Sequence, residues 1–545
     1  MRVFPLMMVA LLASACLRTG GESPASTAST EEACSCDSRR WPAPPAGGTP
    51  REGGEVSIRI SSEPGTLLSM YSPHEVIEHV IDHNVLESLV AKDSPSGHAI
   101  PQLATSWDIE EPTGTYTFHL DPNAAWHDGE PFTGRDVEFT FDLLLDPAGG
   151  ALNRNDFLDV ESVESVDDHT VVIRLDRARP DFVLSLARIS ILPEHVFGKE
   201  VVSNHPASRA PIGTGPFVFS KWKRGLSITI EANRRWRGTP PHVDRIVYRL
   251  VPERRVAMDL FRGGELDIVT ESGATVDELE PGATLVTYPM SRFECLVYNV
   301  TRPYFAEPEV RRALASLIDR DAIRCSIRGC LAEIIDDPWP PSTDAHRKSP
   351  WVITYDPVNA MRALDEAGWI DRDGDGTREK DGVPLAFSVL FLDSQRDLRR
   401  ALTLIRWDFA RAGIDMRLVP IGSAVLADRL RKHRFDAAMM AAPNSSPFDP
   451  FPYFHTVGAE TGRNFGLFSN TEIDGLIEDL SREAAPAIRR SLVYELDRTL
   501  SIEQPVTFTF RPHGAAIVRG SIRGVRIGEE WFEERYLWID KGGGG

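Results

Sequence analysis

Few residues in this sequence have the types and spacing for bond chemistry. His127 and Asp128 stand side by side in the run 126–129 (WHDG), an acid–base pair by type. A hydrolytic centre also needs a positioned nucleophile or a metal, and neither G-x-S-x-G nor H-E-x-x-H occurs. The pair therefore reads as a turn ahead of a helix beginning near Arg135, Asp136 and Val137. Glu75, His79 and His83 recur at i, i+4 and i+8, a spacing that stacks zinc or nickel ligands on one helix face. Glu78 and Asp82 lie beside them, which makes the face a plain solvated one. Asp371, Asp373, Asp375 and Gly376 imitate the opening of a calcium loop, but Gly382 stands where the bidentate Glu belongs. The expectation is no catalysis, no metal and no cofactor.

The remaining chemistry lies in six cysteines and concerns location. Met1-Arg2 precedes an apolar stretch over residues 3–12, too short to span a bilayer and long enough for an export signal. It ends in Leu12-Ala13-Ser14-Ala15-Cys16. Small residues before a Cys resemble a lipoprotein signal, so residues 1–15 are expected to be removed and Cys16 lipidated. The alternative is an ordinary signal cleaved after Ala15; both export the chain. Residues 16–53 are rich in Gly, Pro, Ser and Thr and too poor in branched apolar residues to offset ordering entropy, so they read as a tether. The glycines of 541–545 read as a disordered tail. An oxidising compartment permits disulfides. Cys325 and Cys330 are near enough in sequence to pair, although spacing does not fix connectivity. Cys34 and Cys36 fall in the tether, and a lone Cys-x-Cys is a weak metal signal.

From residue 54 the texture becomes that of folded α/β chain. EVSIRIS alternates like a strand, and residues 75–90 carry an apolar stripe at Val76, Ile77, Val80, Ile81 and Leu89, which predicts an amphipathic helix. Short strands follow to about 250 (YTFHL, TVVIRL, SITIEA). Beyond 307, helices alternate with apolar strands: PEVRRALASLIDRDAI, VNAMRALDEAGW, DLRRALTLIRWDFARAGI and AVLADRLRKHR against LAFSVLFL, DMRLVPI and FDAAMMAA. Such alternation gives layered α/β packing. The 545 residues suffice for several cores. With 60 Lys+Arg against 80 Asp+Glu the net charge is −20, which argues against a nucleic-acid partner. No run of 18 apolar residues is present to span a bilayer.

A series of short motifs, in order, resembles the extracellular solute-binding protein family 5, the dipeptide- and oligopeptide-binding receptors of bacterial ABC importers. Residues 101–107 (PQLATSW) resemble P-x-L-A-x-S-W. YTFHL at 116–120, WHDG at 126–129 and Pro131-Phe132-Thr133 resemble YTF-x-L … F-H-D-G-x-P-F-T. Gly213-Thr214-Gly215-Pro216-Phe217, then Asn233 and Trp236, is similar to G-T-G-P-Y … N-x-x-Y. Residues 264–267 match G-E-x-D; 310–314 with Ile318-Asp319-Arg320 match V-R-x-A-L … I-D-R; 355–357 with 367–369 match Y-D-P … A-G-W; Asn464, Ser469, Asn470 and Asp474 follow the family's tail pattern. The resemblance runs from about 54 to 540.

The resemblance implies a type II clamshell: two α/β lobes, an extra subdomain on the N-terminal lobe, and a solute cleft at the hinge. Lobe I is expected from 54–92 with 213–290 and 508–540, its extra subdomain from 93–212 and lobe II from 291–507, with crossing strands at 293–299 and 506–512. It also implies a monomer that captures a peptide-like solute and hands it to an ABC permease in the inner membrane, at the periplasmic or cell surface. An oligosaccharide or other non-peptide solute, or a sensor or chaperone role on the same fold, are the alternatives. Peptide-binding relatives carry W-x-G-D after the strand here read at FDAAMMAA, its Asp pairing with the peptide ammonium. In this chain that pattern falls on Ala442, Pro443, Asn444 and Ser445, so Asp449 is the acid left to reach an ammonium, while Asn444 and Ser445 suit neutral groups. By placement Tyr71 and His74 are expected on the lobe I wall and Trp339 on the opposite wall, its ring available to stack.

Overall fold

The structure is a computed structural model that describes residues 48–540 apart from 73, 94–96, 199–201, 203–204, 272–278, 341–349, 445–447, 484 and 529–530. The calls on Cys16, Cys34, Cys36 and Ser445 lie outside the described residues. A twelve-stranded sheet runs through the described chain. Its members are β1 Glu55–Ile60, β2 Phe217–Lys223, β3 Ser227–Ala232, β4 Arg245–Leu250, β5 Ile268–Glu271, β6 Thr284–Pro289, β7 Arg292–Tyr298, β8 Ala332–Ile334, β9 Ala386–Leu392, β10 Asp415–Ile421, β11 Ala437–Pro443 and β12 Val506–Val518. The order is β10-β9-β11-β7-β12-β5-β1-β4-β3-β2, with β6 and β8 also paired to β12.

The sheet is two sheets stitched along β12. Its first half pairs antiparallel with β7 (Val297↔Val506, Glu294↔Phe510), and its last residues pair with β5 (Ile268↔Val518, Glu271↔Ala515). A second passage links β6 to β7 through Met290 and Ser291, where Met290 N–H donates to the Pro512 carbonyl at 3.2 Å. The crossing thus lies just before residues 293–299, which belong wholly to the second sheet, and at the end of 506–512. Period-2 alternation puts Ala516 and Val518 in one core and Ala515 and Ile517 in another. On β7 it puts Leu296 and Tyr298 on one face and Phe293, Cys295 and Val297 on the other.

The cores follow this division. One draws on residues from Val56 to Tyr288 and again from Ala516 to Leu537. Two more, one on each face of the second sheet, draw on residues from Phe293 to Phe510. The first core also holds a separate four-stranded sheet, Ala104–Glu110, Thr115–Leu120, Thr170–Leu175 and Val160–Asp167 in that order, packed by α1 (Gly134–Leu145). The fold is a two-lobed clamshell of mixed α/β sheets. We call the 56–288 side lobe I and the 293–510 side lobe II.

Two helices end earlier than their apolar pattern suggests. The helix at 75 passes into a π-helix, Ile77–Asp82, and stops. Asn84 Nδ2 donates back to the His79 carbonyl at 2.8 Å, and the Val85 carbonyl turns out to receive Gly215 N–H at 3.0 Å. A Cβ at Gly213 would lie 1.7 Å from that carbonyl oxygen, which is why the G-T-G run needs its first glycine there. Likewise PEVRRALASLIDRDAI is two helices, Pro308–Ser316 and Arg320–Ser326, because Asp319 caps the second by accepting Ala322 N–H at 2.8 Å. Among the described residues no helix is long and apolar enough to cross a membrane.

Candidate ligand cleft

Strand direction places the cleft. β1 runs parallel to β4 and β5, and β5 antiparallel to β12, so the carboxyl ends of β1, β4 and β5 all point to the seam. In lobe II, β9, β10 and β11 are parallel to one another and β11 is antiparallel to β7, so their carboxyl ends point to the same seam. Loops at the carboxyl ends of strands are where open α/β sheets bind ligands. Here two such edges face each other across two crossing strands.

On the lobe I wall, the turn Ser69–Tyr71 leaves Tyr71 half-buried. Burial, then the Asp146 carboxylate, pushes its phenol pKa up. His74 is also half-buried; its Nδ1 accepts Val76 N–H at 3.2 Å, which leaves Nε2 to donate to Ser62 Oγ at 3.3 Å. Ser62 follows β1, so His74 is tied to the carboxyl edge.

On the lobe II wall the structure corrects one expectation. Trp339 is 3% exposed and belongs to the core, its indole N–H given to Asp497 Oδ1 at 2.7 Å and its backbone N–H to Asp337 Oδ1 at 3.0 Å. A ring so enclosed cannot stack on a solute; it supports Phe448, which meets it edge-on at 5.5 Å. Asn444 is buried too: Nδ2 donates to the Pro338 carbonyl at 2.9 Å and its backbone N–H to the Ser291 carbonyl at 3.0 Å. It ties the end of β11 to the crossing rather than facing open solvent, and its Oδ1 has no hydrogen-bond partner among the described residues. Asp449 is exposed, with Oδ1 accepting Phe451 N–H at 2.9 Å. Desolvation raises its carboxyl pKa, Arg179 of the opposite lobe opposes that, and Asp156 and Asp181 of that lobe add to it.

Sequence reasoning passed over the aromatic floor beside Asp449. Phe448 packs on Phe293 and Tyr453 at 6.2 and 5.5 Å. Tyr453 Oη donates to the Pro443 carbonyl at 3.0 Å and accepts from Arg463 at 2.8 Å. The signal was the density of Phe, Tyr and Pro in 447–454 directly after an apolar strand.

The other motif residues are structural. His127 Nε2 lies 3.0 Å from the Gly215 carbonyl, while Asp128 pairs with His195 at 2.8 Å, so the neighbouring pair does not act together. His79 is stacked on Trp531 at 4.3 Å and buried, whereas Glu75 is exposed. The Asp371, Asp373 and Asp375 carboxylates come within 4.8 Å of one another, each accepting backbone N–H groups of its own loop. Cys330 is disulfide-bonded.

Residues 98–465 match the family described as bacterial extracellular solute-binding proteins, family 5 (middle region). The chain belongs to this family. Its members bind solutes for ABC importers outside the cytoplasm and are not enzymes. The oligopeptide-binding protein AppA of Bacillus subtilis is 25% identical over 535 residues, covering 96% of this chain and 94% of that protein. The structure of B. subtilis AppA with a nonapeptide superposes with a TM-score of 0.75 at 23% identity, over 90% of this chain and all of that one. NikA of Brucella suis, in complex with Fe(III)-EDTA, superposes with a TM-score of 0.79 at 22% identity, over 89% and 100%. This family 5 protein therefore has the fold of an exported solute-binding protein.

Proposed function

We propose that this protein captures a peptide-like solute with a free amino terminus between its lobes and delivers it to an ABC permease. In this reading it is a monomer anchored through lipidated Cys16. The supporting observation is Asp449, an exposed carboxylate shortly after the carboxyl end of β11, whose pKa is raised by desolvation and which feels the charges of Arg179, Asp156 and Asp181 of the opposite lobe. A desolvated carboxylate gains most from a cationic partner, and an ammonium lying on Phe448 and Tyr453 would supply one. The peptide class leans on AppA, a relative along nearly the whole chain; the NikA complex is a reminder that this fold also holds a metal chelate. Lobe I is taken as 54–92, 213–290 and 508–540, the extra subdomain as 93–212 and lobe II as 291–507.

Lobe closure would bury the solute and shift the population toward a form a permease recognises. The test is thermal stabilisation by a library of di- to pentapeptides, their N-acetylated forms and short oligosaccharides, since ligand binding to the folded state raises the melting temperature. Free peptides are expected to stabilise and acetylated ones to fail. Asp449→Ala is expected to weaken free-peptide binding by about 30-fold or more, in line with the ~2–5 kcal/mol for stranding one partner of a buried charge pair. Equal binding of acetylated peptide, or an Asp449→Ala protein with full affinity, overturns the ammonium assignment.

A further inference from the structure

Lobe II touches the subdomain side of lobe I through a side-chain pair 308 positions apart. Arg489 lies in the first turn of the helix Pro486–Glu503, and its Nη1 donates to the Leu480 and Glu483 carbonyls at 2.8 and 3.0 Å. These carbonyls close the preceding helix, Thr471–Arg482, so the guanidinium is fixed to its own lobe. Its Nη2 donates to Asp181 Oδ2 at 2.8 Å. Asp181 precedes the helical turn Phe182–Ser185, and its side chain makes no capping bond there, so the carboxylate is left to the pair.

The segment carrying Asp181 is equally fixed. The buried Tyr116 Oη donates to the Arg179 carbonyl at 2.8 Å and accepts Arg179 N–H at 3.0 Å. The Arg179 side chain is held by Asp159 at 3.4 Å and lies over the Phe182 ring at 5.5 Å. Arg179 also faces Asp449 of lobe II electrostatically. Signs therefore match reciprocally: positive 179 and negative 181 on one jaw, negative 449 and positive 489 on the other.

We propose that Asp181 and Arg489 form an inter-lobe latch, made when the cleft is shut and broken when it opens. Neither partner can follow the other through a lobe rotation, because each is tied to its own lobe by backbone contacts. The pair is partly exposed, at 41% and 25%. Such pairs are weak, so the latch biases closure severalfold and does not trap the solute. The inference rests on the two-lobed fold alone and is independent of the solute's class.

Single-molecule FRET on the ligand-free protein tests it, with dyes on azide-bearing residues at the exposed positions Val166 and Val425. Asp181→Asn is expected to lower the ratio of shut to open molecules by about two- to fivefold, as for other partly exposed pairs. Asp181→Arg, which places like charges face to face, lowers it further. Raising salt from ~0.05 to ~0.5 M should open the wild type more than Asp181→Asn, which keeps only the Arg179–Asp449 attraction across the lobes. Arg489→Lys, which keeps the charge and loses the fork, should fall between wild type and Asp181→Asn. Unchanged melting temperatures show that the variants are folded. A shut-to-open ratio in Asp181→Asn and Asp181→Arg equal to wild type, at both salt concentrations, overturns the latch.

Discussion

The two walls of the cleft stand on buried acids that are neutralised in different ways. Behind the lobe I wall, Glu534 is enclosed by neutral donors: Oε1 accepts Trp531 Nε1–H at 2.7 Å and Tyr248 Oη–H at 3.0 Å. Burial raises its pKa to about 7. Behind the lobe II wall, Asp337 and Asp497 both hold Trp339 and repel each other. Asp337, raised to about 6 mainly by burial, also feels the wholly buried Arg511, whose Nη2 donates to the Trp339 carbonyl. A lone acid among neutral donors responds to pH as one group, whereas an acid pair built around an indole responds first to loss of that indole.

Removing that indole is the largest expected effect. Trp339→Ala should cost ~3–5 kcal/mol, from the cavity, with a further cost for Asp497, which loses its indole donor, while Asp337 keeps the backbone N–H of residue 339. Urea unfolding should show lobe II melting first, as a separate transition, since a two-lobed chain need not unfold in two states. Trp339→Phe keeps most of the volume and should lose ~1–3 kcal/mol, from Asp497 left without its donor. If stability held in both variants and only solute binding fell, Trp339 would be a ligand platform after all and the contrast between the walls would fail.

The pH response of the lobe I acid comes next. Glu534 binds its proton more tightly folded than unfolded, where a Glu titrates near 4.3. Its contribution is therefore fully present below about pH 4.3 and is lost as pH rises through about 7. Asp82, also raised to about 7 by burial, acts in the same direction in the same lobe. Glu534→Gln keeps an oxygen for Trp531 and Tyr248 but carries no charge. The stability of Glu534→Gln relative to wild type should rise by ~3 kcal/mol between pH 4 and pH 8, read as melting temperature across that range. A constant difference would mean that Glu534 titrates as it does unfolded, and would erase the distinction between the walls.

How much was legible follows from how local each feature is. β9, β10 and β11 could be read because their apolar runs are short and bounded by helices with a 3.6-residue stripe. The helix at 75 was read too long because Asn84 and Gly213, not the stripe, end it. The contact of His74 with Ser62, two residues past β1, is local, only a dozen residues apart in sequence. Trp339 was misread because whether an indole faces solvent depends on Asp497, 158 residues away. The pairing of Arg489 with Asp181 has no local signature at all. The aromatic floor was visible as composition but not as a surface until β11 was seen to end at the seam.

The smallest effect separates wall from scaffold on the lobe I side. His74 is half-buried, and its two hydrogen bonds are long, at 3.2 and 3.3 Å. Losing such bonds at a partly solvated site costs ~0.5–1.5 kcal/mol at most, so His74→Ala should barely move the melting temperature. If the loop after β1 lines the cleft, the same substitution should still weaken solute binding severalfold, through a wall that has lost both a ring and a donor. The outcome that breaks the comparison is the inverse: stability lost with affinity intact would make His74 a strut like Trp339. Both walls would then be scaffolds, and recognition would fall to Phe448, Asp449 and Tyr453 on one side of the seam.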